Sequence, residues 1–175
     1  MLTLSISIFD FDGTLFQTPH PSRYKEVFGE NYKNNNWWAD PISLDLKRFN
    51  IRPNCDIVEK FFRSKTNPFE KTIILTGRNV MMKNSVSSVL NFFGLCPDEL
   101  ILCDQKDILD FKLKMLDEII KCLPFLERIK MFEDKPLHAE AFERWGKTLN
   151  LDFSCRLIYS PESIREFIAE ISKKP

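Results

Sequence analysis

The sequence predicts an α/β fold in which a parallel β-sheet lies between two layers of helices. Short apolar runs typical of strands alternate with segments of helical periodicity along most of the chain. Some of these runs are apolar without interruption, as expected of strands that are covered on both faces. Acidic and hydroxyl side chains directly follow three of the runs, at the position where parallel sheets bind ligands.

The order of the elements supports a doubly wound sheet. Residues 4–9 alternate apolar and polar side chains, and residues 72–75 are a continuous apolar run closed by Thr-Gly. Residues 79–93 carry apolar side chains at helical spacing and stop at Gly94. The other predicted elements are strands at 99–103, 129–132 and 155–159 and helices at 54–63, 111–123, 136–145 and from residue 160 onward.

The length of 175 residues suits one domain with a full core. We therefore interpret residues 1–175 as a single domain that carries one irregular insertion. This insertion, called the flap below, covers about residues 17–52 and is rich in proline and asparagine.

Composition excludes several classes of protein. The 25 basic and 25 acidic residues balance, so the chain as a whole has no strongly basic nucleic-acid footprint, although a local basic patch stays open. The five cysteines form no CxxC pair and are odd in number, which favours buried free thiols over disulfides or a zinc site. The apolar N-terminus lacks a basic region, and no apolar run has membrane-spanning length. We expect a soluble cytoplasmic protein with no membrane association and no evident obligate protein partner.

The first strand ends in a pair of acids. Residues i and i+2 of an extended strand point to the same side, so Asp10 and Asp12 are expected to face one rim of the sheet while Phe11 enters the core. The Asp12-Gly13 pair also suits a tight hairpin turn, which is the structural alternative.

Polar clusters after two other strands favour a site over a simple turn. Thr76-Gly77-Arg78 follows the second strand, and Glu133 and Asp134 follow the fourth. Together with Asp10 and Asp12 these acids would form an all-oxygen pocket, which suits a hard cation such as Mg²⁺.

These motifs resemble those of the haloacid dehalogenase (HAD) superfamily. FDFDGTLF resembles the first motif, DxDGT after a strand; LTGR resembles the second; and Glu133-Asp134 resembles the acidic fourth motif. The resemblance implies a three-layer, Rossmann-like HAD core. Its third motif is a lysine near a helix start, here Lys112 or Lys114. Lys112 shares its helix face with buried apolar residues, so we expect Lys112 to face the site.

The resemblance also implies the chemistry. Asp10 would be the nucleophile that forms an aspartyl-phosphate, and Asp12 the general acid and base. Mg²⁺ would be held by Asp10, Asp134 and the backbone carbonyl of Asp12, with Glu133 as a ligand or as a partner of Lys112. Thr76 and Lys112 would bind phosphoryl oxygens.

The flap resembles that of a particular subgroup, the Swiss Army Knife RNA-repair-like HAD domains. The segments FQTPHPSRY, NNNWWADP and EDKPLH carry this resemblance, with Lys135 at a position where arginine is expected. Trp37 and Trp38 would then stack on bases or pack the flap onto the domain. His138 would contact substrate, donate to Glu133, or simply pack or cap the helix.

The interval between motifs leaves no room for a large cap domain, so we expect an open site that accepts bulky substrates. Gly77 and Arg78 are assigned to substrate binding, with a structural ion pair as the alternative for Arg78. The sequence thus favours a Mg²⁺-dependent phosphohydrolase that acts on phosphorylated substrates, with RNA ends as the specific hypothesis. A phosphatase of small metabolites or nucleotides and a catalytically silent binding module are the alternatives.

Overall fold

A computed structural model describes residues 4–34 and 36–159 as an α/β fold built on a five-stranded sheet. The strands are β1 (Ser5–Phe9), β2 (Phe16–Gln17), β3 (Arg52–Pro53), β4 (Glu70–Asn79), β5 (Glu99–Cys103), β6 (Arg128–Glu133) and β7 (Asp152–Leu157). The helices are α1 (Ser22–Phe28), α2 (Cys55–Thr66), α3 (Lys83–Phe92), α4 (Ile108–Cys122) and α5 (Pro136–Gly146). The main sheet has the order β5-β4-β1-β6-β7, and every neighbouring pair is parallel. The predicted doubly wound parallel sheet is therefore confirmed.

The alternation of side chains along β1 produces the three layers. Ile6 and Ile8 are buried in an apolar cluster with residues of α4 and α5. Phe9 points the other way, into a cluster that includes residues of α2, α3 and the flap, and its ring lies 5.5 Å from that of Phe61. Because successive strand residues face opposite sides, one buried strand serves both cores.

Several elements begin or end at other residues than the sequence predicted. Strand β4 continues through Asn79, so the predicted helix at 79–93 begins only at Lys83, after a 3₁₀ turn at Val80–Met82. Helix α4 begins earlier than predicted because the Asp107 side chain accepts a hydrogen bond from the Asp110 amide and caps it. Strand β7 spans Asp152–Leu157 and not 155–159, and the predicted final helix lies outside the described residues.

The flap is more regular than expected. Strands β2 and β3 pair antiparallel at its base, with Phe16 opposite Pro53 and Gln17 opposite Arg52. Between them lie α1 and two 3₁₀ segments, Trp37–Ala39 and Pro41–Leu44. The flap side chains join the same apolar cluster as Phe9, so the flap packs on the domain as part of its core. Within the described ranges, no inserted domain other than the flap lies over the sheet.

The cysteines depart from expectation in one respect. All five are free thiols, but Cys55, Cys96 and Cys122 are exposed, and only Cys103 is buried. The prediction of burial relied on the apolar residues beside these cysteines in the sequence. It was wrong for these three because they lie on solvent-facing turns or helix faces. No helix within residues 4–34 and 36–159 has the length and hydropathy needed to cross a bilayer.

Candidate active site

A buried lysine joins two acids at the carboxyl ends of neighbouring strands. Asp10 directly follows β1, Glu133 ends β6, and Lys112 reaches them from the second turn of α4. The Lys112 Nζ donates to Oδ1 of Asp10 and to Oε2 of Glu133, both at 2.7 Å. All three side chains are buried, whereas Lys114 on the same helix is exposed. Of the two lysines weighed from the sequence, Lys112 is thus the one that faces the site.

Asp134 completes a compact group of acids. Carboxylate oxygens of Asp10, Glu133 and Asp134 lie within 4.8 Å of one another. Gly13 lies against Asp134: it has a φ of +73°, and a Cβ at this position would approach Oδ2 of Asp134 to 2.0 Å. Glycine is therefore required here both by its backbone conformation and by the close approach of the carboxylate.

Burial is the largest influence on the pKa values in this group. Burial raises the pKa of Asp10 to about 7 despite the ammonium of Lys112, and it raises the pKa of Asp134 to about 9, helped by the charges of Asp10 and Glu133. Burial acts in the same direction on Glu133, but Lys112 and His138 outweigh it and lower the Glu133 pKa to about 2. Burial alone would lower the pKa of Lys112, yet its two carboxylate partners raise it above the ordinary value. Lys112 thus lowers the pKa of Glu133 below its ordinary value but does not offset the effect of burial on the pKa of Asp10.

The donor set fits a hard cation. Three carboxylates at this separation offer oxygen ligands only, which is the chemistry that Mg²⁺ prefers. Asp12 was predicted to contribute its backbone carbonyl, and its carboxylate is not a member of this group. Both of its oxygens instead accept hydrogen bonds from Arg78, Oδ2 from Nε at 2.9 Å and Oδ1 from Nη2 at 2.7 Å.

Arg78 is a structural residue in this arrangement. It is 1% exposed, and besides Asp12 it donates through Nη1 to the Trp38 carbonyl at 3.0 Å and to Oγ of Ser43. Of the two roles predicted for Arg78, these contacts fit the structural ion pair, because its donors already have partners inside the protein. Arg78 also lines the pocket. The Thr18 hydroxyl also donates to Oδ1 of Asp12, at 2.6 Å.

The second motif lies beside the pocket. Thr76 is fully buried, and its hydroxyl accepts a hydrogen bond from the Arg78 amide at 3.1 Å. Gly77 lines the pocket and packs on Ile108, so closely that a Cβ on Gly77 would approach Cγ2 of Ile108 to 2.9 Å. The backbone of this segment therefore closes one wall of the pocket.

The two tryptophans have different environments. Trp37 is 2% exposed, its Nε1 donates to the Pro19 carbonyl at 2.7 Å, and its ring makes edge contacts with Tyr32 and Phe49. Of the two roles predicted for Trp37, its environment fits packing of the flap onto the domain and not stacking on substrate, because its ring is buried among flap side chains. Trp38 is 38% exposed, lines the pocket, and has the Arg78 guanidinium 5.0 Å from its ring centroid.

The pocket between these walls has a volume of about 110 Å³. His138 lines it from the first turn of α5, with Nδ1 3.9 Å from Oε2 of Glu133. Asp10, Asp12, Gly13, Gly77, Trp38, Lys112, Glu133, Asp134 and Lys135 line it as well.

Sequence reasoning missed three residues that shape the site. Thr18 belongs to the FQTPHP segment, but the sequence analysis assigned no function to it. Its hydroxyl group, six positions after Asp12, is the only sequence feature that could have indicated a contact with that acid. Ser43 and Ile108 gave no signal, because their contacts with Arg78 and Gly77 depend on how the flap and α4 pack.

The doubly wound sheet has counterparts among solved structures with a HAD fold. Among solved structures, the HAD domain of the effector protein Lem4 from Legionella pneumophila is similar over 98% of this chain and 95% of that one, with a TM-score of 0.53 and 13% identity. An archaeal β-phosphoglucomutase from Pyrococcus sp. strain ST 04 is similar over 95% of this chain and all of its own, with a TM-score of 0.52 and 14% identity. At these identities the likeness concerns the fold alone.

Residues 27–173 match HAD domain family 1 in Swiss Army Knife RNA repair proteins, and the chain belongs to this family. The matched range begins after Asp10 and Asp12, so the first motif lies outside the match. A chain in the Pnkp1/Rnl/Hen1 RNA repair complex is similar in structure, with a TM-score of 0.60 and 18% identity over 91% of this chain and 44% of that one.

A relative is also found among yeast proteins. The uncharacterized protein YMR265C of Saccharomyces cerevisiae is 21% identical over 196 aligned positions, which cover 97% of this chain. The chain spans 42% of the length of that protein.

Proposed function

We propose that this chain is a Mg²⁺-dependent phosphohydrolase that works through an aspartyl-phosphate on Asp10. The observation that carries the proposal is the buried group in which Lys112 bridges Asp10 and Glu133, with a carboxylate oxygen of Asp134 within 4.8 Å. Grouping three acids and one lysine in a small cavity is unfavourable for stability alone, since each buried charge loses its hydration. The same grouping suits the binding of a cation and a phosphoryl group.

The cation would be held by Asp10 and Asp134, with Glu133 acting through Lys112. When bound, Mg²⁺ would supply positive charge that reduces the repulsion between the Asp10 carboxylate and a phosphate dianion. The raised pKa values of Asp10, about 7, and Asp134, about 9, support this assignment because burial disfavours both carboxylates in their charged form, and a bound cation would stabilise that form.

Asp10 and Asp12 would carry out the two halves of the reaction, and Lys112 would orient Asp10. A carboxylate oxygen of Asp10 would bond to phosphorus as the bond to the leaving oxygen breaks, and Asp12 would give its proton to that oxygen. In the second half, Asp12 would take a proton from water as the water oxygen attacks phosphorus. The bond to Asp10 then breaks, which releases inorganic phosphate and restores both acids. Lys112 fixes the orientation of the nucleophile by holding its Oδ1 atom.

Polynucleotide ends, RNA ends in particular, are the proposed substrates. The cavity of about 110 Å³, lined by Asp10 and Lys112, has room for a phosphoryl group. The rest of the substrate would lie outside, against exposed side chains at the mouth such as Trp38 and Lys135. The family, whose members are described as domains of RNA repair proteins, supports the same class of substrate.

Phosphate release with and without Mg²⁺ tests the proposal. The wild type and Asp10→Asn are compared on p-nitrophenyl phosphate, on nucleoside monophosphates, and on RNA and DNA oligonucleotides that carry a 3′-phosphate. We expect release that requires both Mg²⁺ and Asp10 and that favours the polynucleotide. Release from small esters alone would support a metabolite phosphatase, and no release from any substrate would contradict an enzymatic function and favour a binding module.

A further inference from the structure

Arg78 connects the proposed proton-transfer residue to the flap. Its side chain has no solvent exposure, and it makes two hydrogen bonds to the Asp12 carboxylate through Nε and Nη2. The third nitrogen, Nη1, points into the flap, where it donates to the Trp38 carbonyl and to the Ser43 hydroxyl. A single planar guanidinium therefore fixes the positions of an acid after β1 and two residues of the flap.

The flap segment that receives Arg78 is itself well ordered by local contacts. The Ser43 hydroxyl donates to the Asp40 carbonyl at 2.7 Å, and the Asp40 side chain accepts from the Ile42 amide at 3.0 Å. Ser43 is fully buried, and Leu44 beside it is buried as well. Moving this segment away from the sheet would leave the Arg78 charge buried with fewer partners, which is strongly unfavourable.

We propose that Arg78 is a positioning residue that orients Asp12 for proton transfer, and that the flap, through Ser43 and Trp38, holds Arg78 in place. The flap is on this view a fixed wall of the active site, and proton transfer by Asp12 depends on it. The inference rests on the proposed function in one respect only, namely that Asp12 is the general acid and base. The physical link between Arg78 and the flap is independent of catalysis.

Substrates with different leaving groups distinguish a role of Arg78 in orienting Asp12 from a general loss of structure. An alkoxide, such as a ribose oxygen, leaves with difficulty unless it is protonated, whereas p-nitrophenolate is stable without a proton. If Arg78 acts by orienting Asp12, its loss will reduce the hydrolysis of an alkyl phosphate much more than that of p-nitrophenyl phosphate. A role in stability alone would reduce the two rates equally.

The experiment compares Arg78→Lys and Ser43→Ala with the wild type on glycerol phosphate and p-nitrophenyl phosphate. Lysine keeps the charge but cannot make the paired contacts with Asp12. Ser43→Ala removes one flap partner of Arg78 and leaves every side chain of the proposed chemistry unchanged. Arg63→Lys is the matched control, because Arg63 is an exposed arginine on α2 whose pairing with Glu59 lies outside the pocket. Hydrogen exchange of residues 37–45 is measured for each variant as a readout that needs no catalysis.

For Arg78→Lys we expect kcat/KM to fall by roughly 10- to 100-fold on the alkyl ester and by less than about 3-fold on the aryl ester. We compare kcat/KM because it reports the first half of the reaction and excludes the hydrolysis of the aspartyl-phosphate, which is common to both esters. Ser43→Ala should show the same selectivity with a loss of roughly 3- to 10-fold, and both variants should exchange faster in residues 37–45. Equal losses on the two esters, or no loss, would overturn the positioning role. If the wild type releases no phosphate, the proposed function fails, and hydrogen exchange alone tests the contact between Arg78 and the flap. Unchanged protection of residues 37–45 in Arg78→Lys would then overturn that contact as a support of the flap.

Discussion

The Nζ atom of Lys112 lies 2.7 Å from Oδ1 of Asp10, although 102 positions separate the two residues in the chain. Only the parallel arrangement of β1 and β6, with α4 packed beside them, brings a helix lysine to the end of the central strand. The same ammonium also holds Glu133, so three side chains that are each unfavourable when buried alone depend on one another.

Replacing Lys112 by methionine should strongly destabilise the metal-free protein. Methionine fills a similar volume, but the carboxylates of Asp10 and Glu133 would lose their buried counter-charge. We expect the free energy of unfolding at pH 7 to fall by about 3 kcal/mol, as for other broken buried pairs. Urea denaturation in the presence of a chelator measures the change.

Lys114→Met is the matched control for this prediction. Lys114 lies two residues further along the same helix and is exposed, so its replacement should change stability by no more than about 0.5 kcal/mol. Equal effects of the two substitutions would mean that the buried contacts of Lys112 contribute nothing particular.

Much of the fold could be predicted because its signals are local. The apolar run at 72–75 and the acid pairs after strands are visible in a single sequence, and together they indicated the sheet and its functional edge. The period of the helix around Lys112 also distinguished a buried from an exposed lysine. Boundaries were less accurate where capping decided them, as at Asp107 before α4.

The rest depended on contacts between distant segments. The adjacent pair Trp37-Trp38 does not indicate in the sequence that the Trp37 ring lies in an aromatic cluster while the Trp38 ring is exposed. Nor could the sequence reveal that Arg78 pairs with Asp12 across 66 positions, because this contact requires the last residues of β4 to face the flap. Such contacts between distant residues depend on tertiary packing, and they produce no periodic pattern in the sequence.

Gly13 should tolerate no side chain. Gly13→Ala places a Cβ 2.0 Å from Oδ2 of Asp134 at a backbone φ of +73°, so we expect a loss of stability of about 2–4 kcal/mol and loss of Mg²⁺ binding. Gly29→Ala is a close control, because Gly29 has a φ of +76° and no atom within 4 Å of the added Cβ. That variant should show only the backbone strain, about 1 kcal/mol. Thermal denaturation of both variants separates the collision from the strain, and equal losses would refute the collision.

The stability of the metal-free protein should fall as the pH rises. The pKa values of Asp10 and Asp134 are about 7 and about 9 in the folded protein, against an ordinary value of 3.8. The folded state therefore binds more protons than the unfolded chain between about pH 4 and pH 9, so the free energy of unfolding decreases through this range. The lowered pKa of Glu133 has the opposite effect, but only below its ordinary value of 4.5.

We expect a decrease of several kcal/mol, up to about 8 kcal/mol, between pH 5 and pH 9, since each acid contributes about 1.4 kcal/mol for every pH unit below its folded pKa. Urea denaturation with a chelator present measures the decrease. Asp134→Asn should remove most of this slope, since the amide needs no proton to be buried. Asp152→Asn alters an exposed acid that pairs with Arg128 on the surface, and it should leave the slope unchanged. A wild-type profile that is flat or rises with pH would contradict the assigned shifts.

Magnesium should stabilise the protein, and more so at high pH. The ion competes with the protons on Asp10 and Asp134, so its binding strengthens as those carboxyls ionise. At a concentration of about 100 times the dissociation constant we expect a gain of about 2.7 kcal/mol at pH 8, with a smaller gain at pH 6. Differential scanning calorimetry with and without the ion measures it. Asp134→Asn should lose the effect and Asp152→Asn should keep it; an equal gain in both variants would place the ion elsewhere.

Trp38→Ala should weaken the binding of polynucleotide ends without affecting small substrates. The substitution removes the exposed ring but keeps the backbone carbonyl that accepts from Arg78, so the pocket wall should persist. Stacking on an aromatic side chain contributes about 1–3 kcal/mol per base, and KM for a 3′-phosphorylated RNA should therefore rise by roughly 10-fold while KM for glycerol phosphate stays constant. Trp38→Phe should recover most of the loss, and Phe125→Ala, which removes an aromatic ring that is 66% exposed outside the pocket, should have no effect. A parallel rise for both substrates would show that Trp38 supports the pocket and does not bind a base.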